Sequence, residues 1–433
     1  MRLLQSTDEL RALLSPAENA AYLSDAWDDN TQIDMVSDEL KMDFTSPNRG
    51  HLVIKGGYKP GLEHFLIKFS SRFKSVTGNL NSINRRLILI GDAQTGLITS
   101  MLIDHGDQNS ADRRYLTEVD WVDIQRCLSI TGDESVWLHQ KEGFRAFSAG
   151  EIMVPPVMYL PFEGRGDLHL KGAHRHKGDI YVFKIATAFP NNIERCLEPS
   201  QGMMVAFDAR TADPIMVLRD EGHLTDLRTA IAGRNAAEEM MPANELIGVG
   251  ILGTGVQARL QIGLLKTLYP ACNKLTVWGR SRENTINYAN EVAATGWEVN
   301  IVDSPKQVAD NSNLLITTTA SEVALLDAHD ISTQNTVIIA IGADMPGKVE
   351  LSPALLHKAQ AVLIDSIPQG IDHGNAAVAI QDNIISPSDL QEFGDFLTNG
   401  YREPEAKDRL RIFLSSGIGV QDLQIVQSVI EGS

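Results

Sequence analysis

Two rhythms of apolar and polar positions divide the chain. From Leu246 onward, short apolar runs alternate with helix-period stretches: Leu246 to Leu252, Lys274 to Trp278, Val299 to Val302, Asn313 to Thr317, Thr336 to Ile341 and Ala361 to Asp365. Runs this short, separated by amphipathic segments such as Gln257 to Leu268, predict buried parallel strands in a doubly wound α/β sheet. The first 230 residues read differently. There, helical stretches at Thr7 to Leu14 and Val119 to Leu128 each precede β-prone positions, with an Asp-x-x-Thr turn joining two strands.

These two early segments repeat. Lys55-Gly56 recurs as Lys171-Gly172, an offset of 171 − 55 = 116, and Lys68 and Phe73 recur as Lys184 and Phe189. Asp92 to Thr95 matches Asp208 to Thr211, and Leu102, Asp104 and Gly106 match Leu218, Asp220 and Gly222 at the same spacing. One gap-free offset over more than fifty residues predicts a tandem duplication of a β-rich unit. Beyond it the copies part. Glu221 to Ala230 leads into an Ala-rich helix expected at Thr229 to Met240, whereas His105 to Arg114 reads as a polar linker. The first copy is therefore expected to keep a structural role and to have lost catalytic geometry.

The chemistry concentrates after the first late strand. Gly253, Thr254, Gly255, Val256, Gln257 and Ala258 form a GxGxxA turn between that strand and the helix Gln257 to Leu268. Gly253 permits the tight turn, Gly255 lets a pyrophosphate approach the backbone, and Ala258 lets the helix pack closely. The free amides at the helix start favour phosphate. This is a Rossmann-type dinucleotide site. The next strand ends in Arg280, Ser281 and Arg282, without the acid that usually accepts the ribose 2′-hydroxyls of NAD. Arginine pairs with a 2′-phosphate, so NADP(H) is favoured over NAD(H), the alternative being that both arginines are solvated.

Composition narrows the class. A chain of 433 residues with 43% hydrophobic content suits two or three domains. No apolar run approaches the ~18 residues of a membrane span, and the polar start Met1 to Asp8 does not read as a signal peptide. Three scattered cysteines, Cys127, Cys196 and Cys272, argue against disulfides and zinc and for a reduced, cytoplasmic protein. His169, His174 and His176 alternate around a loop and do not form a ligand set, so no metal is expected. A net charge of −18 disfavours nucleic acid or membrane partners.

From Lys171 onward the motifs resemble those of the ornithine cyclodeaminase/mu-crystallin family. They are Lys184 with Phe189 to Asn192, Asp208 to Thr211, Leu224 to Ala230, Gly253 to Ala258, Gly342 to Lys348, Ser415 to Gly417, and Gln421-Asp422. The resemblance spans residues 117 to 433 and implies hydride transfer at the Cα–N bond of a small amino acid or imine. It implies Asp344 as acid/base, Lys184 and Arg228 as carboxylate anchors, and Ser416 near the substrate. It also implies that Thr318, Ile341, Gly342, Ala343, Lys348 and Ser415 line the cofactor, and that members pair their substrate domains across a dimer interface. The implied architecture is a degenerate substrate/dimerisation domain at 1–115 and a substrate-binding domain at 116–242, to which 366–433 returns. The Rossmann domain takes 243–365, so the fold is a doubly wound parallel sheet plus two tandem α+β copies.

Residue by residue the roles have physical support. Asp344 follows the apolar strand Val337 to Ile341 at its carboxyl end, where open α/β sheets bind ligands, although Asp also caps turns before proline. Lys184 interrupts an apolar strand and must either pair internally or point into a pocket. Arg228 offers a planar fork suited to a carboxylate, or is a surface arginine. One departure stands out: in Pro155-Pro156-Val157, valine replaces the family's further arginine, and the 116-residue offset sets Lys41 opposite it. Ornithine is therefore not assumed. The leading reading is an imine reductase or amino acid dehydrogenase; the alternatives are a true ornithine cyclodeaminase and a non-catalytic NADPH-binding protein like mu-crystallin. With two copies in one chain, an internal pseudo-dimer is expected, otherwise a homodimer.

Overall fold

A computed structural model describes every residue except 5, 23–35, 45–49, 75–81, 105–115, 332–334 and 405–408. The segment His105 to Arg114, expected to be a linker, lies outside the described residues. The chain divides into two units: Met1–Thr131 with Ile152–Leu224 and Val426–Ser433, and Gly132–Glu151 with Thr225–Ile425.

The first unit holds two sheets. One contains β1 (Arg2–Leu4), β2 (Val36–Phe44), β3 (Gly50–Tyr58), β4 (His64–Lys74), β5 (Ser82–Asp92) and β6 (Ile98–Asp104), in the order β1-β6-β5-β4-β3-β2. The other contains β7 (Thr117–Asp120), β8 (Ile152–Met153), β9 (Met158–Phe162), β10 (Gly166–Arg175), β11 (Ile180–Ala188), β12 (Ser200–Asp208) and β13 (Pro214–Arg219). Its order is β7-β13-β12-β11-β10-β8, with β9 also paired to β10. The registers of β3 to β6 and of β10 to β13 correspond residue for residue at the 116-residue offset. Lys55 faces Lys68 and Lys171 faces Lys184, and the irregularity between Ile90 and Gly91 recurs between Ala206 and Phe207, 116 residues on. β1 and β7 each add in parallel beside the last strand of their sheet.

Alternating side chains from both sheets share one core, in which Phe69 of β4 meets Phe183 and Phe207 of the second sheet with ring centroids 5.7 and 5.5 Å apart. On the far side of the first sheet, helices Thr7–Leu13 and Pro16–Tyr22 bury Leu10, Leu14 and Tyr22 against Leu66 and Ile90.

The register corrects one expectation. Lys41 faces Val53, but 116 residues beyond Val53, His169 faces Tyr159, so the counterpart of Lys41 is Tyr159 rather than Val157. Pro155 and Pro156 have no N–H to give a ladder. The strand that is continuous as β2 is accordingly split into β8 and β9, and the register slips by two.

The second unit is built on eight parallel strands: β14 (Val249–Leu252), β15 (Lys274–Trp278), β16 (Glu298–Ile301), β17 (Leu314–Thr317), β18 (Val337–Ala340), β19 (Ala361–Ile364), β20 (Leu390–Glu392) and β21 (Arg411–Leu414). Their order is β16-β15-β14-β17-β18-β21-β19-β20. The order reverses between β14 and β17, the switch point at which such sheets bind ligands. The expected strands all form. The boundaries differ, however: residues 366–425 stay with this unit, because β20 and β21 extend its sheet and β21 inserts between β18 and β19. Only Val426–Ser433 belongs to the first unit.

Helix Asp133–Ser148 also belongs to the second unit. Gly143 leaves room for Gln424 and Val420, and Lys141 bridges Glu238 and Glu239 at 2.5 Å each. The Ala-rich helix starts at His223, not Thr229, so Arg228 lies inside it rather than at its opening.

Candidate active site

The glycine turn after β14 has the geometry its spacing implies. Gly253 has φ 116° and donates its N–H to Trp278 O at 2.9 Å; a Cβ there would stand 2.5 Å from Thr318 Oγ1. Thr318 in turn donates its N–H to Leu252 O at 2.9 Å, so the turn is stitched to both neighbouring strands. Gly255 caps helix Val256–Leu268 without a side-chain bond, and a Cβ built on it meets nothing within 4 Å. The helix start therefore carries no side-chain cap and has open space beside Gly255, which leaves room for a phosphate. Ala258 is fully buried beneath the turn. Thr254 contacts the neighbouring turn, where a Cβ on Gly279 would lie 2.9 Å from its Cγ2. Val256 is exposed.

At the end of β15, Ser281 accepts from Asn284 N at 3.3 Å and caps the next helix, while Arg280 and Arg282 are exposed and Arg282 pairs with Asp303 at 3.1 Å.

A cavity of about 240 Å³ opens within the second unit. Of the expected residues it gathers Asp344, Arg228, Lys348, Ser415 and Ser416, together with Gln257, Thr318, Ile341 and Gly342. It also takes Thr225, Asp226, Thr229, Thr319 and Gly417, to which no individual role had been assigned. Asp344 Oδ1 lies 2.7 Å from Lys348 Nζ, one helical-type spacing along the loop, and its side chain is half exposed. Gln257 donates to the Asp226 carbonyl at 3.0 Å and to its carboxylate at 3.1 Å.

Arg228 is 4% exposed, so it is not a surface arginine. Asp422 Oδ1 stands 3.2 Å from its Nε, and Nη1 donates to Gln421 Oε1 at 2.6 Å. Gly417, at φ 72°, packs on the guanidinium: a Cβ there would come within 2.4 Å of Nη1. The buried charge is thus paired and its fork is aimed, as an anchor for a carboxylate needs.

Two buried acids that sequence reasoning missed hold the loops. Glu350 is fully buried; Oε1 accepts from Thr319 N at 2.6 Å and Thr319 Oγ1 at 2.8 Å, and Oε2 from Thr317 Oγ1 at 2.6 Å and Gly342 N at 2.9 Å. Burial pushes its carboxyl above the ordinary range, against the pull of those four donors. Gly342 admits this clamp because a Cβ would strike Thr319 O at 2.1 Å. Asp365 accepts from Ser416 N at 2.8 Å, Gly417 N at 2.7 Å and Ser415 Oγ at 3.1 Å, and fixes the loop after β21.

Ala343 is buried beside the cavity loop, under Gly374, whose Cβ would meet its carbonyl at 2.1 Å. Lys184 belongs to the other unit, on β11, where it is 3% exposed. Asn192, from the Phe189 to Asn192 motif, proves to be structural: it donates to Thr95 O at 2.9 Å and so ties the second sheet to the turn of the first. His174 Nδ1 donates to Ile180 O at 3.0 Å, and burial lowers its basicity. Among the described residues no cluster of three or more His, Cys, Asp or Glu could hold a metal.

Residues 123–432 match the model of the "Ornithine cyclodeaminase/mu-crystallin family". An alanine dehydrogenase of Archaeoglobus fulgidus is 28% identical over 296 residues, covering 68% of this chain and 88% of that protein. An iminosuccinate reductase of Paracoccus denitrificans is 26% identical, covering 60% of this chain and 79% of that one. Among solved structures, an archaeal alanine dehydrogenase dimer with bound NAD has the same fold, with a TM-score of 0.66 at 24% identity over 73% of this chain and 95% of the other. The matched region begins after the first sheet.

Proposed function

The chain belongs to the ornithine cyclodeaminase/mu-crystallin family, and from that membership we propose hydride transfer at the Cα–N bond of a small amino acid or imine, as a reductase or dehydrogenase. The observation that supports this reading is one cavity lined by both Asp344 and the buried, ion-paired Arg228, in the unit built on the doubly wound parallel sheet. The dehydrogenase and reductase among its relatives favour the same reaction class. The open helix start after Gly255 fits a nicotinamide dinucleotide, which supplies or accepts the hydride when bound.

In the oxidising direction, Asp344 accepts the proton that a substrate ammonium must lose before a hydride can leave Cα, then faces the iminium cation. In the reducing direction the same carboxylate returns that proton. Arg228 and Lys184 hold the carboxylate, and Ser416 lies close to the substrate. Lys348, paired with Asp344, balances its charge until a cationic nitrogen arrives. The preference for NADP(H) rests on Arg280 and Arg282 beside Ser281, with Arg282 leaving Asp303 for the 2′-phosphate. Three free cysteines suit a reducing, cytoplasmic setting.

The same proposal covers the first sheet. We read residues 1–115 as a second copy of the substrate domain that stands in for a partner subunit and leaves one active site per chain. The shared register of the Lys55–Lys68 and Lys171–Lys184 pairs and the common core support this. The test of the function is Asp344→Asn: turnover of an amino acid or imine should fall at least a thousandfold while NADPH binding stays within twofold. Full activity in that variant would refute the role. A mass measurement finding an obligate homodimer joined through the first unit would refute the pseudo-dimer.

A further inference from the structure

The first unit encloses a second cavity, of about 180 Å³. Leu97 and Ile98, at the turn between β5 and β6, form one wall; Thr187 of β11 with Gln201 and Met203 of β12 form the other. Arg219 and Glu221 complete it. Thr187 is 6% exposed, yet its Oγ1 has no hydrogen-bond partner. A buried hydroxyl left unpaired costs about 1–3 kcal/mol, so the site is polar where an occupant would restore a bond. The turn reaches it only because residue 96 is glycine: at φ 73°, a Cβ would lie 2.5 Å from Phe189 and 2.9 Å from Thr187 Oγ1.

The corresponding place in the other half holds an ion pair. The 116-residue offset maps Leu97 onto Asp213, Gln201 onto Arg85 and Thr187 onto Ser71. There Arg85 and Asp213 form an ion pair with side chains only 13% and 10% exposed, and Ser71 Oγ donates to Arg85 O at 3.4 Å. Protein charges satisfy each other at one position; at its counterpart a leucine and a glutamine leave a hydroxyl and a void.

We propose that this cavity binds a small zwitterionic α-amino acid with an apolar side chain, as an effector. Arg219 takes the carboxylate. Its bond to Glu118 at 2.8 Å uses one of five guanidinium N–H donors. Glu221 takes the ammonium, Thr187 and Gln201 bond the polar end, and Leu97, Ile98 and Met203 receive the side chain. The volume lies below the ~300–1,000 Å³ of drug-sized sites, which restricts the ligand to a few carbons. Glu221 is joined through Gly222 to the helix carrying Arg228, so occupancy has a covalent route to the anchor of the other cavity. This inference does not depend on the hydride-transfer reading.

The test is calorimetric titration of the full chain with L-alanine, L-leucine and L-methionine, in the wild type and in Lys184→Met, Arg219→Gln and Thr187→Val. Binding of at least one amino acid should survive Lys184→Met, weaken about tenfold in Arg219→Gln, the worth of one charge-assisted bond, and weaken several-fold in the near-isosteric Thr187→Val. Arg219 is 40% exposed at its side chain, so its replacement keeps the test alive should Thr187→Val fold poorly. Binding abolished by Lys184→Met but unchanged in both cavity variants would place the ligand in the substrate site alone and overturn the proposal. No binding by any of the three would overturn it as well.

Discussion

Replacing Glu350 by glutamine isolates the clamp that shapes the cavity. Each Glu350 oxygen accepts one backbone N–H and one threonine hydroxyl. Glutamine keeps the volume but turns one oxygen into an NH₂ group. The threonine hydroxyl on that side rotates to accept from it; the backbone N–H, from Thr319 or Gly342, does not. One buried donor is then orphaned against another donor, which costs about 1–3 kcal/mol. The loss is offset in part, because the neutral amide no longer carries the desolvation that raises the Glu350 carboxyl.

The sign of that offset is testable. A carboxyl whose folded pKa is raised binds its proton more readily folded than unfolded, so the wild type loses stability as pH climbs above the ordinary carboxyl range toward the folded value. Glu350→Gln lacks this slope, and its penalty should be larger at pH 5 than at pH 7. Urea unfolding at both pH values reads stability, and NADPH fluorescence titration reads the loop, with affinity expected to fall about five- to tenfold. Unchanged stability at both pH values with unchanged NADPH affinity would refute the clamp.

Other parts of the site give sharp expectations. Gly417→Ala adds a Cβ 2.4 Å from Arg228 at a left-handed φ; KM for the amino acid or imine should rise more than tenfold, with NADPH affinity nearly unchanged by fluorescence. Asp422→Asn removes the anion 3.2 Å from the buried Arg228 and should destabilise the fold by about 3 kcal/mol in urea unfolding, whereas a change below 0.5 kcal/mol would mean the pair is solvated. Arg85→Gln removes the guanidinium paired with Asp213, whose side chain is only 10% exposed; a loss of about 3 kcal/mol is expected in the unfolding of the first unit, with kcat unaffected.

The parts legible in the sequence were local. Apolar runs located the strands of the second unit because parallel strands buried on both faces are continuous apolar segments. The glycine turn was legible because its spacing encodes its geometry. The 116-residue offset was legible where strands are continuous and failed at Lys41, where two prolines break the ladder. Glu350 and Asp365 were not legible, since their partners are loop amides 31 and 51 residues away in sequence. The one available signal was an acid inside the apolar run Val349-Glu350-Leu351, where an uncompensated charge would be costly. β21 was missed for a related reason: Arg411 opens a four-residue strand and is buried by bonding to Met240 O at 2.7 Å, a pairing only the fold supplies.

The central claim is that this chain transfers hydride at a Cα–N bond, and reduced-nicotinamide absorbance tests it most directly. NADH and NADPH are supplied separately with a panel of cyclic and acyclic imines, and the oxidised cofactors with the corresponding amino acids, including ornithine. Net NADPH consumption with at least one imine, faster than NADH consumption, is the expected result. Proline and ammonia from ornithine without net cofactor change would contradict the reductase reading in favour of cyclodeamination. Tight NADPH binding with no turnover on any substrate would contradict the enzymatic claim itself.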